Sequence, residues 1–312
     1  MPETIAGRYE LVREIGRGAS ATVYRAHDSA LDRYVAIKLV APALANDPDF
    51  VERFMREARL SARLQHPNIV TVHDVGESAD GRPFLAMAIV EGESLEAIIR
   101  ANAPLPLPEA LRILRELGGA LEYLHSQGLI HRDVKPSNVL VEESGRVVLS
   151  DFGIAYAREA ARFTNTGVLL GTPRYMAPEQ FKGEEPTVQT DVYALGVLAF
   201  ELISGAPPFE GSGTGLMYRI VHEPPPPITS IAPNLPPGIE AVIARALSKE
   251  PADRWATPLE FVAALADPEA NATLLGAGVP AGTIAAAAAA PSGAPHDPAA
   301  VVEPEPEVEP ET

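Results

Sequence analysis

The run His131-Arg132-Asp133-Val134-Lys135-Pro136-Ser137-Asn138, followed by Asp151-Phe152-Gly153, holds the side chains that a phosphoryl transfer needs. Asp, Lys and Asn fall within six residues, and a second Asp comes thirteen after Asn138. One carboxylate can position an attacking hydroxyl and take its proton, and a cation can neutralise the phosphate in transfer. A carboxylate and an amide oxygen are hard ligands of the kind Mg²⁺ takes, together with waters and phosphate oxygens. An ordinary polar loop accounts for one such residue, not for all of them in this order.

Two further segments could act on a nucleotide. In Val35-Ala36-Ile37-Lys38 a lysine stands inside an apolar strand, which is costly unless its ammonium meets an anion. Snorkelling to solvent is the plainer outcome for most lysines. Glu57, on the helix that follows, could supply the anion and hold Lys38 against α- and β-phosphates, although Arg53, Arg56 and Arg59 around it also suit a solvated helix face. Upstream lies Ile15-Gly16-Arg17-Gly18-Ala19-Ser20-Ala21-Thr22-Val23. A lone G-x-G is weak, and a dinucleotide fingerprint would open a helix. Here Thr22–Ala26 alternates like a strand, so the glycines form a hairpin bend able to fold over phosphates, because glycine lets the backbone come close.

The elements that must position these residues fall into two groups. Tyr9–Ile15, Thr22–Ala26, Tyr34–Val40, Ile69–Val75 and Pro83–Ile89 read as strands, with one helix over Asp49–Leu64 that ends at His66-Pro67. After residue 93 helices dominate. Glu109–Ser126 begins beside Pro108, in a first turn that tolerates proline, and stops at Gly128. Val188–Ser204 is apolar on nearly all sides, as a helix inside a core must be. Pro258–Ala266, with Thr257 as its N-cap, is the last packed helix.

Residues 8 to 267 resemble a eukaryotic-type protein kinase catalytic domain, and most closely the bacterial serine/threonine kinases of that type. Beyond the motifs above, Ala177-Pro178-Glu179, Asp191-Val192-Tyr193-Ala194-Leu195-Gly196 and Asp253-Arg254-Trp255 match the family's later signatures in order. The resemblance implies an α+β, bilobal protein kinase fold: an antiparallel sheet with one main helix in an N-lobe (9–90) and a mainly helical C-lobe (91–267), with residues 1–8 as a short extension. It implies ATP and Mg²⁺, with Mn²⁺ able to substitute, and transfer of the γ-phosphate to protein hydroxyls.

Carried over by position, Asp133 is the base, Lys135 contacts the transferring phosphate, Asn138 and Asp151 hold the metal, and Lys38 braced by Glu57 orients the nucleotide. Adenine is expected between Ile15, Val23 and Ala36 above and Leu140 below, bonded to the backbone of Ala88 and Val90 beyond Met87. The resemblance gives His131, Phe152 and Asp191 structural roles and pairs Glu179 with Arg254. It also matches Thr172 to a threonine that bonds the base and Lys135. The D-x-K-x-x-N arrangement resembles serine/threonine rather than tyrosine kinases. Thr164 and Thr166, in the segment Asp151–Glu179, match positions autophosphorylated in related kinases, and their phosphates could pair with Arg132 and order that segment. Autophosphorylation in trans implies a transient homodimer. Two departures stand out: Ala21 replaces the loop's third glycine, and Ala88 stands where relatives often have Glu. A pseudokinase scaffold and a small-molecule phosphotransferase compete with this reading. The complete residue set argues against the first, and Ala177-Pro178-Glu179 against the second.

Bulk properties narrow the partners. The 312-residue chain is 46% hydrophobic, enough for a large core, and its formal charge of −17 argues against a nucleic-acid partner, since phosphate backbones are bound by basic surfaces. Cysteine is absent, so no thiolate chemistry or disulfide is available. No apolar stretch approaches a bilayer span and Met1–Gly7 has no signal-peptide pattern, so a cytoplasmic location is expected. From Pro268 onward Ala, Pro and Gly dominate and Lys and Arg vanish, ending in a Pro-Glu alternation. Such a tail, 268–312, cannot bury enough apolar area to offset its ordering entropy and is expected to be disordered.

Overall fold

The computed structural model describes residues 3–151 and 173–268. Up to Ala88 the chain forms one antiparallel sheet from Thr4–Ile5 (β1), Tyr9–Arg17 (β2), Ala21–Asp28 (β3), Arg33–Val40 (β4), Val72–Glu77 (β5) and Pro83–Ala88 (β6), in the order β1-β2-β3-β4-β6-β5. The pattern along β4 explains its place inside the sheet. Val35, Ile37 and Leu39 pack with Tyr9, Ala26 and Phe84 on one face, while Ala36 and Val40 pack with Phe50, Phe54 and Ala58 on the other. A strand covered on both sides is apolar throughout, and Lys38 is the one charge within Val35–Val40. Within residues 3–8 the chain is tied to the sheet: Thr4–Ile5 pairs with β2, Ile5 is buried, and Arg8 makes two hydrogen bonds to the buried Asp28 carboxylate at 2.6 and 2.7 Å.

Between β4 and β5 run Pro42–Ala45 (α1) and Pro48–Ser61 (α2). Asp47 starts α2 by accepting the Phe50 N–H, and Phe50, Phe54 and Ala58, four apart, turn inward beneath the sheet. The strand expected over Ile69–Val75 begins only at Val72. Ile69 and Val70 are drawn instead to the other lobe, where the Val70 N–H donates to the Leu149 carbonyl at 3.0 Å and the Leu149 N–H donates to the Asn68 carbonyl at 2.8 Å.

The second half contains Gly92–Ser94 (β7), Leu95–Asn102 (α3), Leu107–Ser126 (α4), Val139–Glu142 (β8), Val147–Leu149 (β9), Pro178–Lys182 (α5), Val188–Ser204 (α6), Gly213–His222 (α7), Ile239–Ala246 (α8) and Pro258–Ala266 (α9). The uniformly apolar α6 is buried from Thr190 to Ser204 and forms the spine of this lobe, with α4, α8 and α9 packed around it. Thr257 caps α9 through the Glu260 N–H. A small antiparallel sheet, β7-β8-β9, lies at the junction of the lobes and delivers the chain to Ser150 and Asp151. The architecture is a bilobal α+β fold. The segment expected to be a disordered tail lies outside the described residues, apart from Pro268. Among the described residues no helix is long and apolar enough to cross a membrane.

Candidate active site

The β2–β3 hairpin turns where the glycines predicted it, the Gly18 N–H donating to the Ala21 carbonyl at 2.9 Å, and it roofs a cleft of about 760 Å³. Ile15, Gly16, Arg17, Gly18, Ala19, Ser20, Ala21 and Val23 line the cleft from the hairpin, and Ala36 and Lys38 from β4. Met87, Ala88 and Val90 close its back, and Leu140 of β8 forms part of its floor. Thr22 is the exception among the residues expected here. Neighbouring side chains on a strand point to opposite faces, so with Val23 in the cleft Thr22 is outside it. Sequence reasoning missed Arg13 and Arg25, which share the Val23 face by the same alternation, and Val70, which lies in the segment misread as strand.

At the lower edge of this cleft, Asp133, Lys135, Asn138 and Asp151 come together. The Lys135 ammonium is 2.7 Å from Asp133 Oδ2. The Asn138 amide donates to the Asp133 carbonyl and to Asp133 Oδ2, both at 2.9 Å. These bonds use the Asn138 NH₂ group, leaving its carbonyl oxygen as the atom for a cation. Asp151 has a left-handed backbone, φ 56°, and its Oδ1 accepts from the Lys38 ammonium at 2.8 Å. Burial raises the Asp151 carboxyl, but Lys38 beside it, together with His131 and Lys135, outweighs this and holds it below the usual range. A carboxylate and an amide carbonyl, both hard oxygen donors, suit a divalent cation that completes its shell with waters and phosphate oxygens.

The loop carrying Asp133 is fixed from beneath. Asp191, fully buried on α6, accepts the His131 N–H through Oδ2 and the Arg132 N–H through Oδ1, both at 2.8 Å, and faces His125 Nε2 at 2.7 Å. His131 is itself buried: Nδ1 accepts the Asp133 N–H at 3.3 Å, and Nε2 donates to the Ser150 carbonyl at 3.2 Å. Further down, the Arg254 guanidinium makes two 2.7 Å hydrogen bonds to the Glu179 carboxylate, with both side chains inaccessible to solvent or nearly so.

One expected pair is not formed. Lys38 engages Asp151, and Glu57 faces Arg132 instead, its Oε1 3.9 Å from the guanidinium. The position of α2 turns Glu57 towards the catalytic loop, where burial raises its carboxyl against the pull of Arg132. Phe152, Thr164, Thr166 and Thr172 lie outside the described residues.

Known proteins match this arrangement along most of its length. The protein kinase domain family model matches residues 9–264. Serine/threonine-protein kinase PknA of Mycobacterium tuberculosis is 43% identical over 268 residues, covering 84% of this chain and 62% of PknA. PknE of the same organism is 41% identical over 251 residues, covering 80% of this chain and 44% of PknE. The crystal structure of the M. tuberculosis PknI kinase domain superposes with a TM-score of 0.70 at 35% identity, covering 86% of this chain and 98% of that one. The chain thus spans less than two thirds of the length of the curated relatives it matches.

Proposed function

The chain belongs to the protein kinase domain family, and from that premise we propose that it is a serine/threonine protein kinase using ATP and Mg²⁺. The observation that carries the reading is the convergence of Lys38, Asp133, Lys135, Asn138 and Asp151 on one cleft large enough for a nucleotide. Asp133 positions the substrate hydroxyl and accepts its proton. The new bond joins that oxygen to the γ-phosphorus, the bond from phosphorus to the β,γ-bridging oxygen breaks, and ADP leaves. Lys135 and Lys38 offset phosphate charge on opposite sides of the cleft. Asn138 and Asp151 would hold Mg²⁺, which would supply positive charge against the phosphates in transfer; Mn²⁺ would meet the same donor set. The Ala88 N–H is taken by the Thr71 carbonyl, so adenine is read through the Ala88 carbonyl and the Val90 backbone.

Protein substrates bearing Ser or Thr, autophosphorylation of Thr164 and Thr166 through a transient homodimer, and a cytoplasmic location complete the proposal. The test is turnover of Mg-ATP with a generic protein substrate. Asp133→Asn and Lys38→Met should each cut the rate by at least ~10²-fold, the low end for a positioned acid–base group. A near-normal rate in Asp133→Asn removes the assignment of the base. Mass spectrometry decides the autocatalytic step: phosphate on both threonines in Asp133→Asn protein from a kinase-free host defeats it.

A further inference from the structure

We infer that Gln180, on the short helix α5, is a positioning residue that sets the orientation of the catalytic base Asp133. The inference rests on the kinase reading above. Gln180 is 5% exposed, and both ends of its amide are used. Its Oε1 accepts the Ala177 N–H at 2.8 Å, which fixes the rotamer and turns the NH₂ group away from its own helix. That NH₂ group donates to the Arg132 carbonyl at 2.9 Å, across 48 residues of sequence.

The Arg132 carbonyl belongs to the peptide that joins Arg132 to Asp133, and this peptide needs holding. Arg132 adopts φ 69°, a left-handed conformation that a non-glycine residue keeps only where its surroundings impose it. Asp191 holds the residue from one side through its N–H, and Gln180 holds it from the other through its C=O. The two clamps come from different elements, α6 and α5. The α5 side is itself anchored, because the neighbouring Glu179 is locked to Arg254 and accepts from the Thr190 hydroxyl at 2.8 Å. Gln180 thereby ties Ala177-Pro178-Glu179 to the backbone that presents Asp133. Its side-chain hydrogen bonds go to Ala177 and Arg132, and neither of these nor Gln180 itself lines the nucleotide cleft.

The test compares wild type with Gln180→Glu and Gln180→Met in the full chain, measuring kcat, the KM for ATP and thermal unfolding, each assay at a temperature where the protein is folded. Gln180→Glu keeps the acceptor for Ala177 but puts a carboxylate oxygen against the Arg132 carbonyl. Gln180→Met keeps the length and removes both bonds. Each should lower kcat by about tenfold while leaving the KM for ATP within about twofold, since the clamp acts on the base and not on the nucleotide pocket. A folded variant with wild-type kcat overturns the inference. So does a fall in kcat matched by an equal fall in the number of nucleotide-binding sites, because that is loss of folded protein. If neither variant folds, Gln180 serves folding and the positioning role is lost. Wild-type protein without turnover would instead overturn the kinase reading, so the two failures are distinguishable.

Discussion

Glu57 of α2 reaches Arg132 of the catalytic loop, 3.9 Å away, while Lys38 of β4 reaches Asp151 at 2.8 Å. These two ion pairs stand in place of the Lys38–Glu57 pair expected from sequence. Arg132 is also the cation proposed to receive phosphate from Thr164 or Thr166. If Thr164 or Thr166 delivers a phosphate there, its charge of about −1.5 to −2 competes with the single carboxylate for Arg132 and frees Glu57 to turn towards Lys38. Protein phosphorylated on both threonines should therefore turn over at least about tenfold faster than phosphatase-treated protein, and Glu57→Gln should abolish the difference. Equal rates before and after phosphatase treatment would refute this coupling.

Arg254→Ala should destabilise the second lobe by roughly 3–5 kcal/mol, because it strands the buried Glu179 carboxylate with Thr190 as its one remaining side-chain hydrogen-bond partner among the described residues. Arg254→Lys should recover only part of the loss, since an ammonium cannot make the two-pronged contact. Chemical denaturation measures both. Wild-type stability in Arg254→Ala would mean the pair is dispensable.

Lys249 predicts a pH dependence. Its ammonium donates to the Ile220 carbonyl at 2.6 Å, at the end of α7, and lies 4.4 Å from the centre of the Phe209 ring. Burial lowers its pKa from 10.5 to about 8. The folded state therefore binds fewer protons than the unfolded chain between those values, and Lys249 makes the protein more stable as pH rises through that window. Melting temperatures of wild type and Lys249→Met, compared from pH 7 to pH 10, should shift in favour of wild type as pH increases. A constant difference would show that Lys249 titrates normally.

Gly92 in β7 crosses β8 so closely that a Cβ on it would lie 2.1 Å from the Val141 carbonyl oxygen. Gly92→Ala must push β8 aside, and with it Leu140 on the cleft floor. The expected result is a loss of roughly 1–3 kcal/mol in stability and a higher KM for ATP, read by denaturation and steady-state kinetics. An unchanged KM would mean that the floor is set independently of β7.

The sequence reveals what is local. The order of Asp133, Lys135 and Asn138 is legible because one loop holds all three, and Lys38 stands out as the single charge in an apolar run. The hairpin over the cleft follows from the glycines and the alternation after them. Alternation also carried information left unread: it separates Thr22 from Val23 and puts Arg13 and Arg25 on the cleft side. The partners of Lys38 and Glu57 are not legible, because they depend on how α2 sits against the sheet and the other lobe. Gln180 is hidden for a similar reason. Its neighbours in sequence say nothing about a carbonyl 48 residues away.

The Asp191 carboxylate grips two consecutive backbone amides of the catalytic loop from inside a helix that is buried from Thr190 to Ser204. The lower jaw of the cleft therefore takes its shape as the helical lobe condenses and cannot loosen without disturbing that lobe. The adjustable contacts are then those that reach the catalytic loop from the other side, where Glu57 of α2 meets Arg132 and Lys38 of β4 meets Asp151.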